Sequence, residues 1–169
     1  MRFLQKLRIR KLVKKHMNRP LNINEILSRK DSTNVVVDAY EYFMRQSGWI
    51  IDGSFNEKIR VFLLCVLFDG EVANGGISQF LTADSGDRAY ETVSALHTIG
   101  ATEAVTLLKS SIELFPAGMV PENREERSNL MNQIDKEALA ELDYKAWNCH
   151  SIHDLCYRYL MENKTSFCL

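Results

Sequence analysis

The segment from residue 55 to residue 68 constrains the fold more than any other part of the chain. A helix that is apolar on nearly every side has to be covered by other elements of the protein. Ser54 and Glu57 have the spacing of a capping box, which predicts that a helix begins beside them. Its two apolar rows are Phe55, Ile59, Phe62, Leu63 and Val66, and then Val61, Cys65 and Phe68. We therefore expect a buried central helix.

Helical patterns also fill the chain after residue 20. Caps or breaks predict further helix starts at Asn22, at Asp31 or Ser32, and at Ala89, Thr102, Glu122 and Ser151. The run Val35 to Val37 is β-branched like a strand, but Tyr40, Phe43 and Met44 continue its helical spacing. A polar loop is expected at Asp84 to Gly86. The sequence predicts an all-α fold, a single compact domain of about seven or eight short helices around the central one.

Length and composition fit one domain in a reducing compartment. The chain has 169 residues with 3 prolines and 8 glycines, so we expect no long linker. The longest apolar run, Val61 to Phe68, is far shorter than the roughly 20 residues of a membrane-spanning helix, and the basic N-terminus lacks the apolar core of a secretory signal. Cys65, Cys149, Cys156 and Cys168 are irregularly spaced, which favours free thiols. These features predict a cytoplasmic protein without a transmembrane segment.

Charge divides the chain into two parts. The basic residues of the first part are Arg2, Lys6, Arg8, Arg10, Lys11, Lys14, Lys15 and Arg19, with no acid among them. The rest of the chain has 13 basic and 22 acidic side chains. Pro20 ends any preceding helix, so we predict a basic N-terminal arm over 1–20 and a helical domain over 21–169. Such an arm can bind nucleic acid or an anionic membrane surface, or fold back on the acidic body.

Two polar clusters are candidates for chemistry. Two cysteines and two histidines lie within Cys149 to Cys156 and are zinc ligands by type, but structural zinc usually takes paired ligands from two separate segments. Asp69 and Glu71 precede a double glycine, where two carboxylates could act as acid and base or bind a cation. Neither cluster completes a recognisable site. We assign no catalytic residue, no metal site and no cofactor, and we favour a non-enzymatic protein, with an enzyme or metal protein as an alternative.

The double glycine Gly75 and Gly76 could present backbone amides to a phosphate. However, no lysine follows it as in a P-loop, no third glycine completes a dinucleotide fingerprint, and no strand precedes it. Close backbone packing is therefore the favoured interpretation.

The stretch from Glu71 to Phe80 reads E-V-A-N-G-G-I-S-Q-F. It resembles the N-G-G-F-S-Q-[FY] signature of an uncharacterised bacterial all-helical domain family that includes a DNA-mimic protein, with Ile77 in place of the aromatic residue. Similar positions follow at Ser85-Gly86, Ala95-Leu96, Ile99-Gly100-Ala101, Leu107-Leu108, Leu114-Phe115, Arg127 and Leu142-Asp143. The resemblance covers residues 55–162, and residues 1–20 lie outside it.

The resemblance implies an all-helical fold and gives no catalytic residue to carry over. Within the motif we expect a structural elbow, in which the glycines allow a positive φ or a close approach. Asn74 and Gln79 would satisfy backbone groups, and Phe80 would enter the core. The predicted motif residues are Asn74, Gly75, Gly76, Ser78, Gln79 and Phe80.

The mimic member implies an acidic surface that imitates the phosphates of DNA and occupies a transcription factor, as a dimer. We therefore expect an interaction module that binds a regulator or another DNA-binding protein and that can form a homodimer. The candidate surface is Glu122, Glu125, Glu126, Asp135, Glu137, Glu141 and Asp143. Binding of nucleic acid or an anionic surface through the arm is the alternative.

Overall fold

The computed structural model describes residues 19–149 and 152–168. In these ranges the chain forms nine α-helices and no strand, which confirms the all-α prediction. The helices are α1 Ile23–Ser28, α2 Ser32–Gln46, α3 Glu57–Thr82, α4 Ala89–Thr98, α5 Thr102–Glu113, α6 Arg124–Leu130, α7 Lys136–Trp147, α8 Ile152–Glu162 and α9 Lys164–Phe167. Short 3-10 helices, Asp84–Arg88 and Pro116–Gly118, precede α4 and follow α5.

Helix α3 is the centre of the bundle, as its two apolar rows predict. It packs against α2, α4, α6, α7, α8 and α9, while α5 packs on α4 and α7. Phe62, Leu63, Cys65 and Phe68 are fully buried on it. Among the described helices α3 alone is long and apolar enough to cross a membrane, a criterion that the core helix of a soluble protein also meets.

The N-terminal helices begin where the sequence predicts. The side chain of Asn22 accepts hydrogen bonds from the first turn of α1, and that of Asp31 caps α2. The run Val35 to Val37 is helical, with its first two residues buried. Asp38 is the buried acid of α2 and forms ion pairs with Arg19 and with Arg29, whose Nη1 lies 2.5 Å from Oδ2. This carboxylate ties the chain on both sides of α1 to α2.

The predicted capping box at the start of α3 is wrong. The cap is Asn56, whose side-chain oxygen accepts a hydrogen bond from the Ile59 amide at 3.0 Å. Ser54 instead donates its hydroxyl to Asp52 at 2.5 Å. Asn56 thus makes the same hydrogen bond to the N3 amide that the first residue of a capping box makes. The helix cap therefore lies two residues later than predicted.

Two other predicted boundaries differ from the structure. Residues 84–86 belong to a 3-10 helix rather than to a polar loop. The sequence from Glu122 through Leu130, Ile134, Ala138 and Leu142 has a continuous helical pattern, but in the structure a turn at 131–135 separates α6 from α7. There Ile134 is buried and Asp135 accepts hydrogen bonds from the first amides of α7, so a new cap restarts the helix. The predicted cap at Ser151 lies outside the described residues.

Candidate functional site

The N-G-G motif bends α3. Gly75 has φ of −167°, which is extended backbone, and Gly76 has φ of +80° with ψ of −175°, a combination almost restricted to glycine. A Cβ placed on Gly76 would lie 2.5 Å from Cγ and Oδ1 of Asp143. Conformation and space therefore both exclude a side chain at Gly76.

Side chains of α7 form hydrogen bonds with backbone groups of α3 on both sides of the bend. Bending a helix removes backbone partners on both sides of the break, and buried orphan groups are costly. Oδ1 of Asp143 accepts a hydrogen bond from the Ser78 amide at 2.9 Å, and Nε1 of Trp147 donates to the Val72 carbonyl at 2.8 Å. Because Asp143 and Trp147 are four residues apart on α7, they lie on one face of that helix. We call these two side chains the α7 clamp.

The rest of the motif also serves the bend. The Ser78 hydroxyl donates to the Gly75 carbonyl at 3.0 Å. Phe80 is fully buried, with its ring centroid 5.0 Å from that of Phe68. Gln79 donates to the side chain of Glu71 at 3.2 Å rather than to the backbone as expected, and Asn74 is exposed. The motif thus forms the bend of α3, with Phe80 packed in the core and Asn74 and Gln79 exposed.

Arg127 is fully buried and holds the segment that follows the bend. Its Nε donates to the Leu81 carbonyl at 2.6 Å, and its Nη2 donates to the Ala83 carbonyl at 2.8 Å and to Asp87 at 2.6 Å. Its Nη1 donates to the carbonyls of residues 121 and 122. Gly86 is required beside it, because a Cβ there would lie 2.7 Å from Nε. In the sequence Arg127 lies among acids of the predicted surface, but its guanidinium is buried and forms its hydrogen bonds inside the protein.

The predicted acidic surface divides into three groups. Asp143 is half-buried in the α7 clamp and Asp135 caps α7, so these two carboxylates have structural partners. Glu141 pairs with Lys145 at 2.6 Å. The remaining acids, Glu122, Glu125, Glu126 and Glu137, are exposed, and no ion pair within the described residues uses them. The open part of the surface therefore lies just before α6, on α6 and at the start of α7.

Among the described residues, the cysteine and histidine cluster does not converge on a metal site. Cys149 and Cys156 are buried, and Cys156 of α8 lies beside Cys65 of α3. Burial, reinforced by Cys156, raises the pKa of the Cys65 thiol well above its ordinary value, so it stays protonated. His150 lies outside the described residues, and within those described no group of three or more His, Cys, Asp or Glu side chains is arranged to hold a metal ion.

The two carboxylates before the motif do not act together. Residues two apart on a helix do not face each other, and each acid has its own partner. Nδ1 of His153 lies 3.8 Å from Oδ2 of Asp69, whereas Glu71 accepts the hydrogen bond from Gln79. Burial raises the pKa of Asp69 and the charge of His153 opposes the rise. Asp69 and Glu71 therefore do not form the acid and base pair considered from the sequence.

Comparison with known proteins places this architecture in a family. The family model described as DMP19-like protein matches residues 53–163, close to the segment over which the motif resemblance extends. The match includes the bend at Gly76, the α7 clamp and Arg127, and it excludes α1 and α2. No curated protein and no solved structure matches the chain. Because the family model covers well over half of its residues, the chain belongs to the DMP19-like protein family.

Proposed function

We propose that this protein is a non-enzymatic interaction module whose acidic surface on α6 and α7 binds the cationic DNA-binding surface of a regulatory protein. Membership of the DMP19-like family carries the proposal, since the resemblance that the motif shows is to a family with a DNA-mimic member. The acidic surface is defined here as Glu122, Glu125, Glu126 and Glu137.

The local charges support this assignment. In the sequence, the positive charge of Arg127 lies among the acids of α6, but its guanidinium is buried and paired with Asp87, so it does not neutralise their negative charge at the surface. Arg124 points to Asp84, at 2.9 Å, and to the Thr82 carbonyl. Exposed carboxylates without an internal partner keep their field available to a cationic partner.

The location on α7 adds rigidity. An interface that is already ordered loses less entropy on binding than a mobile one. Asp143 and Trp147 bind α7 to both sides of the bend in α3, so the helix that presents Glu137 is fixed to the core of the protein. Exposed carboxylates carried by an anchored helix suit a partner surface that binds phosphates.

The test is affinity capture from nuclease-treated lysate of the host with tagged full-length protein. A variant with Glu125→Gln, Glu126→Gln and Glu137→Gln removes three charges from the acidic surface. Its matched control carries Glu103→Gln, Glu113→Gln and Glu162→Gln, which removes three exposed charges from other helices. Retained proteins are identified by mass spectrometry, with and without added duplex DNA.

We expect wild type and control to retain a DNA-binding protein that duplex DNA displaces, and the acidic-surface variant to lose it. Retention by all three chains would overturn the proposed surface. If no protein is retained, and nucleic acid is retained only when nuclease is omitted, the alternative function through the basic arm would replace this proposal.

A further inference from the structure

Two large aromatic side chains are exposed on α7, the helix that carries Glu137. Tyr144 is 67% exposed and Trp147 is 50% exposed. They are three residues apart and so are neighbours on the helix surface, whereas Leu139 and Ala146 form its buried side. Aromatic residues are enriched in protein interfaces, where a partner covers their large surface. We call Tyr144 and Trp147 the α7 aromatic pair.

The ring of Trp147 is held in place before any partner binds. Its Nε1 donates to the Val72 carbonyl at 2.8 Å, and this N–H is the only hydrogen-bonding group of an indole. The exposed part of the side chain therefore consists mainly of carbon atoms, which offer a partner an apolar edge and a π face. Because the ring is already ordered, little side-chain entropy is lost when a partner covers it.

Carboxylates lie beside the pair on the same face of α7. Tyr144 follows Glu141 by three residues and Glu137 by seven, which is about two turns, or about 10 Å, along the helix. Both acids are exposed. Oε1 of Glu141 pairs with Lys145 at 2.6 Å, but a carboxylate accepts several hydrogen bonds, so its second oxygen can take a further donor. This face therefore has two carboxylates and one cation beside exposed aromatic rings.

This combination of groups favours a cationic occupant over an apolar one. An apolar group that covered Tyr144 would bury part of the neighbouring carboxylates without supplying a hydrogen-bond donor, which is costly. A cation over the ring is attracted by the π face and by the carboxylates together. Arginine fits best, because its planar guanidinium can stack on the ring while its N–H groups pair with a carboxylate. The compact ammonium of lysine does not combine these two contacts.

We infer that the α7 aromatic pair and Glu141 bind an arginine side chain of the partner, whose guanidinium stacks on Tyr144 and donates to Glu141 while its aliphatic stem lies against Trp147. This inference rests on the proposed function, since it specifies which side chain of a cationic DNA-binding surface the protein contacts. Arginine is also the residue that such surfaces use most for bidentate contacts with phosphate and guanine. The acidic surface attracts the partner, and the α7 aromatic pair selects arginine over lysine.

The test measures the Kd of the full chain for two short peptides at low ionic strength by isothermal titration calorimetry. One peptide alternates arginine and glycine, and the other has lysine in place of each arginine. Tyr144→Leu removes the ring, whereas Tyr144→Phe removes only the hydroxyl. Met119→Ala controls for loss of an exposed apolar side chain, since Met119 is 62% exposed and lies outside α7. The acidic-surface variant with Glu125→Gln, Glu126→Gln and Glu137→Gln is measured beside them.

We expect wild type to bind the arginine peptide about fivefold more tightly than the lysine peptide, as stacking of a cation on an exposed ring predicts. Tyr144→Phe and Met119→Ala should keep this preference, and Tyr144→Leu should abolish it with little change in affinity for the lysine peptide. In NMR spectra the arginine peptide should shift the indole N–H signal of Trp147 and leave that of Trp49, the other tryptophan, in place.

Equal affinity of wild type for the two peptides would overturn the inference, as would an arginine preference that Tyr144→Leu retains. If the acidic-surface variant still binds both peptides more weakly than wild type, the proposed acidic surface stands and only the arginine site fails. If that variant binds both peptides as wild type does, the proposed acidic surface fails whatever the result for Tyr144→Leu. Absence of binding of either peptide to wild type would overturn both.

Discussion

Gly76 and Asp143 occupy adjoining space so closely that a Cβ on the glycine would lie 2.5 Å from Oδ1 of the aspartate. The same oxygen accepts the hydrogen bond from the Ser78 amide, just past the bend. The carboxylate therefore caps the second half of α3, and the missing side chain of Gly76 makes room for it. Bend and cap depend on each other.

Replacing Gly76 by Ala should lower the free energy of unfolding by about 2–4 kcal/mol, because the residue must hold a glycine-type conformation and displace Asp143. Urea denaturation measures the loss. Gly70→Ala is the matched control in the same helix, since a Cβ there meets nothing within 4 Å. It should be neutral or stabilise by up to about 1 kcal/mol. Equal effects at both positions would show that Asp143 does not confine Gly76.

Asp143→Ala should cost about 1–2 kcal/mol, as expected for loss of a charged acceptor at a helix N-terminus. In that background Gly76→Ala should cost less than it does alone, because the clashing carboxylate is absent while the backbone strain remains. The double-mutant cycle should therefore give a coupling of about 1 kcal/mol or more. If the two changes in the free energy of unfolding simply add in the double variant, the cap and the bend do not depend on each other.

Much of the fold follows from local patterns in the chain. The caps at Asn22 and Asp31 and the all-apolar character of α3 are encoded by neighbouring residues, and each prediction from them is confirmed. The turn at 131–135 is different, because Asp135 as a cap competes with an unbroken helical pattern on both sides. The helical periodicity does not show whether the helix continues or restarts at Asp135, since this depends on the burial of Ile134 against the core.

The site was less accessible to sequence reasoning than the fold. Asp143 is an acid in an acidic stretch, and only the packing of α7 on α3 shows that its carboxylate is used internally. Trp147 gives no sequence signal for its hydrogen bond to Val72, 75 residues away. Arg127 likewise has the sequence context of a surface base although it is fully buried. Long-range partners of single polar side chains are not encoded in local spacing.

Arg127→Met should lower the free energy of unfolding by about 3–5 kcal/mol, because it leaves Asp87 and several carbonyls without their donor. Arg127→Lys should recover little of this, since an ammonium cannot reproduce the planar fork. The control is Arg124→Met. Because the Arg124 side chain is 60% exposed, this substitution should lower the free energy of unfolding by about 1 kcal/mol or less. Similar losses at the two arginines would contradict the structural role of Arg127.

Asp69 should make stability depend on pH in the direction opposite to an ordinary paired acid. Its pKa is raised by burial from an ordinary value of 3.8, so the protonated form is favoured in the folded protein. The stabilising contribution is full below the unfolded pKa and is lost as pH rises through the folded pKa. Asn at position 69 does not ionise, so Asp69→Asn does not lose stability in this way. As pH rises from about 4 towards neutrality, the free energy of unfolding of Asp69→Asn should therefore increase relative to that of wild type.

His153 provides the check on this pH dependence. Its charge opposes the rise in the pKa of Asp69, so His153→Gln should move that pKa further up. Between about pH 4 and neutrality the advantage of Asp69→Asn should therefore be larger in the His153→Gln background than in wild type. Urea denaturation of the four chains across this range measures both effects. An Asp69→Asn effect that stays constant with pH, or that is unchanged by His153→Gln, would show that burial and the histidine do not set the protonation of Asp69.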